Sequence, residues 1–135
     1  MKHVAALVVA LLLGACSAEN TTDNGAALRD IDSGRSGAEV TVSGKVAAVL
    51  PTVAGPHGAH ERFLLDVTDG GHIQQIFVAD NVSIASQAPL HVGDPVVVRG
   101  ELAFNARGPV IHWTHRDPRF RHMPGFIEVN GQRYE

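Results

Sequence analysis

The chain has 135 residues, 14 acidic and 11 basic side chains for a formal charge of −3, and a single cysteine. That length suits one domain, and the mildly acidic balance disfavours a dedicated nucleic-acid binder, which ordinarily carries a basic face. One thiol excludes an internal disulfide and a zinc–thiolate cluster.

Lys2, an unbroken apolar run from Val4 to Leu13 and small residues before Cys16 make residues 1–15 a predicted signal peptide. The run falls short of the about 20 apolar residues that span a bilayer. Leu13-Gly14-Ala15-Cys16 resembles the bacterial lipobox, which implies that Cys16 becomes the lipidated first residue of the mature chain. A plain secretory signal is the alternative. Each buried acyl methylene contributes about 0.8 kcal/mol, so a multiply acylated cysteine anchors stably, and the membrane is then a partner through the lipid. Ser17 stands where an aspartate would signal inner-membrane retention, which favours the outer membrane, facing the periplasm. Cleavage removes Lys2 and moves the charge to −4.

Residues 16–37 follow as the lipidated cysteine and a flexible tether, polar and glycine-containing. Ala26, Ala27 and Leu28 favour a helical turn there, too short to stand alone. Residues 38–135 form the folded domain. From Glu39 the period changes to two: Val40, Val42, Val46, Ala48 and Leu50 share a face, and Pro51 is expected to end the strand. After a loop to His60, Phe63, Leu65 and Val67 alternate. Asp69-Gly70-Gly71 then turns the chain into His72–Asp80, a hairpin signal.

Asn81–Asp94 is irregular, with room for a short helix before Pro89. A fourth strand carries Val96, Val98, Leu102 and Phe104, a turn follows at Asn105–Gly108, and Pro109 begins a fifth. Asn130-Gly131 predicts a last hairpin. Five strands with an irregular segment between the third and fourth predict an all-β chain, a small five-stranded OB-like Greek-key barrel with a C-terminal hairpin. Another small barrel or sandwich is the alternative. Gly44 and Gly100, each inside a strand, are expected where the backbone bends or is closely approached.

Of eight histidines, His3 leaves with the signal, and His72 and His91 stand alone. His57 and His60 form one His-x-x-His spacing, His112 and His115 another, with His122 beyond. Imidazoles bind divalent metals readily, so His60, His112, His115 and His122 are candidate ligands for one. On a strand, however, His112 and His115 point to opposite sides unless the chain bends, as Pro118 allows. Trp113–His122 adds three arginines, Arg116, Arg119 and Arg121, and Asp117. Arginine forks and an aromatic plane suit an anionic or stacking ligand. The competing reading is a structural plug, with Trp113 capping the barrel and Asp117 paired to an arginine. No phosphate-cradling glycine loop or nucleophile elbow occurs.

The segments HERFLL, VADN, VGD and IHWTHRDPR, followed by His122 and NGQRY, resemble the bacterial domain of unknown function family three-four-six-five, over most of the chain after residue 40. The resemblance implies a small secreted or lipid-anchored protein of OB-like fold, and brings no activity with it. Its recurrent positions fall here on His60, Arg62, Phe63, Asn81, Gly93, His112, Trp113, Thr114, His115, Asp117, Pro118, Arg119, His122 and Gly125. Three positions depart from the pattern: Asp80 and Arg116 replace histidines and Phe126 replaces a tryptophan. An aspartate at position 80 argues against a base of near-neutral pKa there.

The expected function is a non-enzymatic binding or interaction module in the envelope, for an anionic or stacking small ligand or a protein partner. Its expected site comprises His60, Arg62, Asn81, His112, Trp113, His115, Asp117, Arg119 and His122, on one rim of the barrel. One alternative is a metal-dependent hydrolase of phosphodiesters, with Asp80 or Asp117 joining the histidines, which requires three such groups within metal-bonding reach. The other is a purely structural lipoprotein.

Overall fold

The structure, a computed structural model, describes residues 21–135. The predicted signal peptide and Cys16 lie outside the described residues. The elements are α1 (Asn24–Asp32), β1 (Glu39–Gly55), β2 (Gly58–Asp69), β3 (His72–Asn81), β4 (Pro95–Asn105), β5 (Gly108–His112), β6 (Phe126–Val129) and β7 (Gln132–Tyr134).

β1 pairs with β2 along its second half and with β4 along its first, so one long strand closes the sheet on itself. The ring runs β1-β2-β3-β5-β4 and back to β1, with β3 and β5 parallel and every other pair antiparallel. This is the five-stranded OB barrel, and β6 and β7 extend it beyond β4 as the expected C-terminal hairpin. Alternation fills the interior: Val42, Val46, Phe63, Leu65, Val67, Ile76, Val78, Val98, Leu102 and Ile111 are all buried.

Gly44 sits where β1 changes partners, opposite both Val67 and Val96. A Cβ there would run into the Asp66 carbonyl, and one at Gly100 into the His112 carbonyl. Both are close approaches of backbone to backbone, as mid-strand glycines predict.

Three expectations are corrected. Pro51 does not end β1; the strand continues to Gly55, and Pro51 falls in a bulge between Leu50 and Val53, where its missing N–H breaks no ladder bond. From Asn24 the expected tether is an ordered helix, started by Asp23 accepting a bond from the Ala26 amide. Ala27 and Leu28 bury against the barrel, and the Asn24 amide bonds both the N–H and the carbonyl of Ser43 and the carbonyl of Thr68. Tertiary packing gives α1 the stability that its length does not. The short helix expected before Pro89 is a single turn at Asn81–Ala85, whose continuation buries Ala85 and Ala88 at the barrel end.

Candidate functional site

The two histidine segments meet on one side of the barrel. The β1–β2 turn brings His57 and His60, β3 brings Ala79 and Asn81, and β5 with the chain after it brings His112, Trp113, His115, Arg121 and His122. Together with Val110 and Ile84 they line a groove of about 640 Å³. Trp113 stacks on His112 and on His122, with ring centroids 4.6 and 4.9 Å apart and planes within 9° and 12°. His115 meets His122 edge-on at 4.9 Å.

Local backbone chemistry sets this array. Trp113 has φ 53, a left-handed conformation unusual for an aromatic residue, and strain of that kind concentrates at functional sites. Gly125 makes it possible by lying flat against the Trp113 carbonyl and the Thr114 backbone and by donating to the His115 carbonyl. Beyond His115, Asp117 accepts from the amides of Arg119 and Arg121 and from the Arg121 guanidinium at 2.8 Å. The Arg121 side chain, foremost, and these amides hold the Asp117 carboxyl far below the usual carboxylate range. This knot returns Arg121 and His122 to the groove. Burial lowers the His115 pKa, and the neighbouring His122 and His60 push the same way.

Behind the groove lie two buried carboxyls on adjacent strands, Glu61 and Asp80, in register. The Ala88 amide donates to Glu61 Oε2, and the Thr114 hydroxyl donates to Asp80 Oδ1, while Asp80 Oδ2 has no hydrogen-bond partner among the described residues. Desolvation dominates both: Glu61 is pushed up from the usual 4.5 to about 7, and Asp80 from 3.8 to about 6. Contrary to the expectation from residue type, burial gives position 80 a carboxyl of raised pKa.

The family described as protein of unknown function, DUF3465, matches residues 8–135. The chain belongs to that family. No curated protein matches it. Among solved structures, the small single-stranded DNA-binding protein from Streptomyces coelicolor is 30% identical, with a TM-score of 0.48, over 56% of this chain and 85% of that one.

In this DUF3465 member the expected site residues divide. His60, His112, Trp113, His115 and His122 line the groove, as does Asn81, whose side chain is spent on structure: it donates to the His57 carbonyl and accepts from the Ser83 amide. Three residues are corrected. Asp117 and Arg119 do not line the groove; Asp117 organises its own loop, and Arg119 is exposed with its amide in that knot. Arg62 shares the outward face of β2 with His60 but lies two residues further along the strand, where it lines a second cleft. His57 and Arg121 belong to the groove beyond the expected set, the first signalled by its His-x-x-His spacing and the second by its place four residues after Asp117.

The candidate metal ligands are corrected too. Among the described residues, no group of three or more histidine, cysteine, aspartate or glutamate side chains is arranged to hold a metal ion. Nδ1 of His60, His115 and His122 face the carbonyls of Gly58, Arg116 and Met123, and His112 Nε2 faces Glu101. The convergence that the hydrolase reading required is not met by these side chains.

Proposed function

We propose that this chain is a lipid-anchored envelope protein whose OB barrel is a binding module, with the histidine groove taking a small anionic ligand that carries a planar ring. One observation carries the ligand reading: five imidazoles, Trp113 and Arg121 line the groove and no carboxylate does, in a chain with more acidic than basic residues. Ring faces stack a planar ligand, and the guanidinium and imidazole N–H groups donate to a phosphate or carboxylate. Imidazoles ordinarily gain protons between about pH 8 and 5. Anion affinity is therefore expected to rise as pH falls, while burial holds back the charging of His115.

Trp113 is the chain's only tryptophan, so its emission reports on the groove directly. Thymidine 5′-monophosphate is expected to change that emission and to bind about tenfold or more tighter than inorganic phosphate, the gain from stacking one ring. His60→Ala and His115→Ala are expected to weaken nucleotide binding non-additively, as groups sharing one ligand do. Emission that does not respond to the nucleotide at pH 6 sinks the ligand reading.

The anchor rests on Leu13-Gly14-Ala15-Cys16. Cys16→Ser removes the acylated thiol, and the protein is expected to move from the detergent to the aqueous phase in a partition assay. A variant that stays with detergent overturns the lipid assignment.

A further inference from the structure

The face that carries the groove continues beyond it. Along β3 the outward side chains alternate: Ala79 and Asn81 line the histidine groove, while Gln75 and Phe77 line a second cleft of about 580 Å³. Phe77 pairs with Val110 across the parallel β3–β5 ladder, one in each hollow, so the two meet there without a wall of backbone between them. From Gln75 to Asn81 the track is about 20 Å long at the usual strand rise.

Chemically the second cleft matches the first. Leu64 and Phe77 offer apolar surface, Arg62 and Arg107 supply positive charge, and again no carboxylate lines it. Arg62 is held in place, with Nε and Nη2 both donating to the Pro51 carbonyl at 3.0 and 2.8 Å, which leaves Nη1 for a ligand. Arg107 stands in the exposed two-residue turn between β4 and β5. Three other clefts among the described residues contrast with these two, since each has a carboxylate in its wall: Glu39, Asp117 or Glu128. The carboxylates that neighbour the track are engaged: Glu101 with His112, Asp66 with Gln75 and Asp117 with Arg121.

We propose that the Arg62–Phe77–Arg107 cleft is a second subsite continuous with the histidine groove, and that the two together hold an extended single strand of nucleic acid. This rests on the groove reading above. Phosphates lie on Arg62, Arg107 and Arg121, and bases stack on Phe77 and on the exposed rings around Trp113. A strand of planar bases fits better than an acidic polysaccharide, because Phe77, Trp113 and the imidazoles line the two hollows with ring faces on which bases stack. The acidic balance of the whole chain is no obstacle, since Arg62 and Arg107 line the second cleft with no carboxylate in its wall, and phosphates respond to local charge. Three phosphate contacts give a slope of about −2 for log affinity against log salt on a single strand.

The test compares thymidine 5′-monophosphate, a thymidylate octamer and a galacturonate octamer on the full chain, read by Trp113 emission and by anisotropy of labelled oligomers. The thymidylate octamer is expected to bind at least about tenfold tighter than the mononucleotide, as added stacking and phosphate contacts require. Arg107→Ala should cut octamer affinity about fivefold and flatten its salt slope by about one phosphate, with mononucleotide affinity unchanged; Arg107→Lys should restore most of the loss. If the octamer binds no tighter than the mononucleotide, or Arg107→Ala weakens both equally, the second subsite is overturned and the groove reading stands. If neither nucleotide binds, both fail. If the galacturonate octamer matches the thymidylate octamer, the nucleic-acid assignment is overturned.

Discussion

Gly125→Ala is expected to cost about 3 kcal/mol of folding stability, the upper end of what overpacking exacts. A Cβ at this position meets only backbone: the Trp113 carbonyl, the Arg99 carbonyl at 2.7 Å and the Thr114 Cα at 2.8 Å. Side chains can swing away from an added methyl, but these atoms belong to β4 and to the turn that leaves β5, and moving them breaks the bond from the Gly125 amide to the His115 carbonyl. Against a total stability of about 5–15 kcal/mol the loss is large, and it should lower the melting temperature on the order of 10–20 °C. Gly131 makes a useful contrast. It has φ 73 in the β6–β7 turn but nothing within 4 Å of a Cβ, so Gly131→Ala should cost only about 1 kcal/mol of backbone strain. Urea titrations of the two variants decide the matter: a Gly125→Ala loss below that of Gly131→Ala would mean that the backbones do not pack as described. Because Gly125 presses on Trp113, the first variant should also shift the tryptophan emission while the second leaves it alone.

The barrel was legible in the sequence because its signals are local. Alternation from Val40 to Val46 and from Phe63 to Val67, the Gly70-Gly71 and Asn130-Gly131 turns and two mid-strand glycines each state their own geometry. What escaped was decided by distant contacts. Pro51 reads as a strand end until Arg62, eleven residues on, is seen to hold its carbonyl and accommodate the bulge. Asn24–Asp32 reads as tether because the partners of Asn24, at Ser43 and Thr68, are not near it in the chain. The same holds for the groove. His60 and His115 were expected on one rim, and they are, but whether Asp117 and Arg119 faced the ligand or their own loop depended on one knot of amide bonds that spacing does not reveal. The partner of each imidazole nitrogen was equally out of reach.

Stability should fall as pH rises from about 4 to 8, by roughly 2–3 kcal/mol, because Glu61 and Asp80 are easier to fold neutral than charged. Their carboxyls sit at about 7 and about 6 in the folded protein, against 4.5 and 3.8 ordinarily, and desolvation is the leading cause for each. A group with a raised folded pKa binds its proton more tightly folded than unfolded. Its contribution is therefore complete below the unfolded value and is lost as pH climbs through the folded one, which sets the window between about 4 and 7. Above it, two carboxylates face each other across the β2–β3 register, and Asp80 Oδ2 is buried without a donor among the described residues. Asp80→Asn keeps the oxygen that accepts from Thr114 and discards the charge. It is expected to flatten the profile and, at about pH 8, to stabilise the protein by about 1 kcal/mol or more. His115 works in the opposite direction, since its lowered pKa means stability lost as pH falls. The difference between wild type and Asp80→Asn cancels that contribution and isolates the carboxyl. Urea unfolding of both proteins at several pH values supplies the measurement, and parallel profiles would show that Asp80 is charged and solvated in the folded state, contrary to its burial beneath the groove.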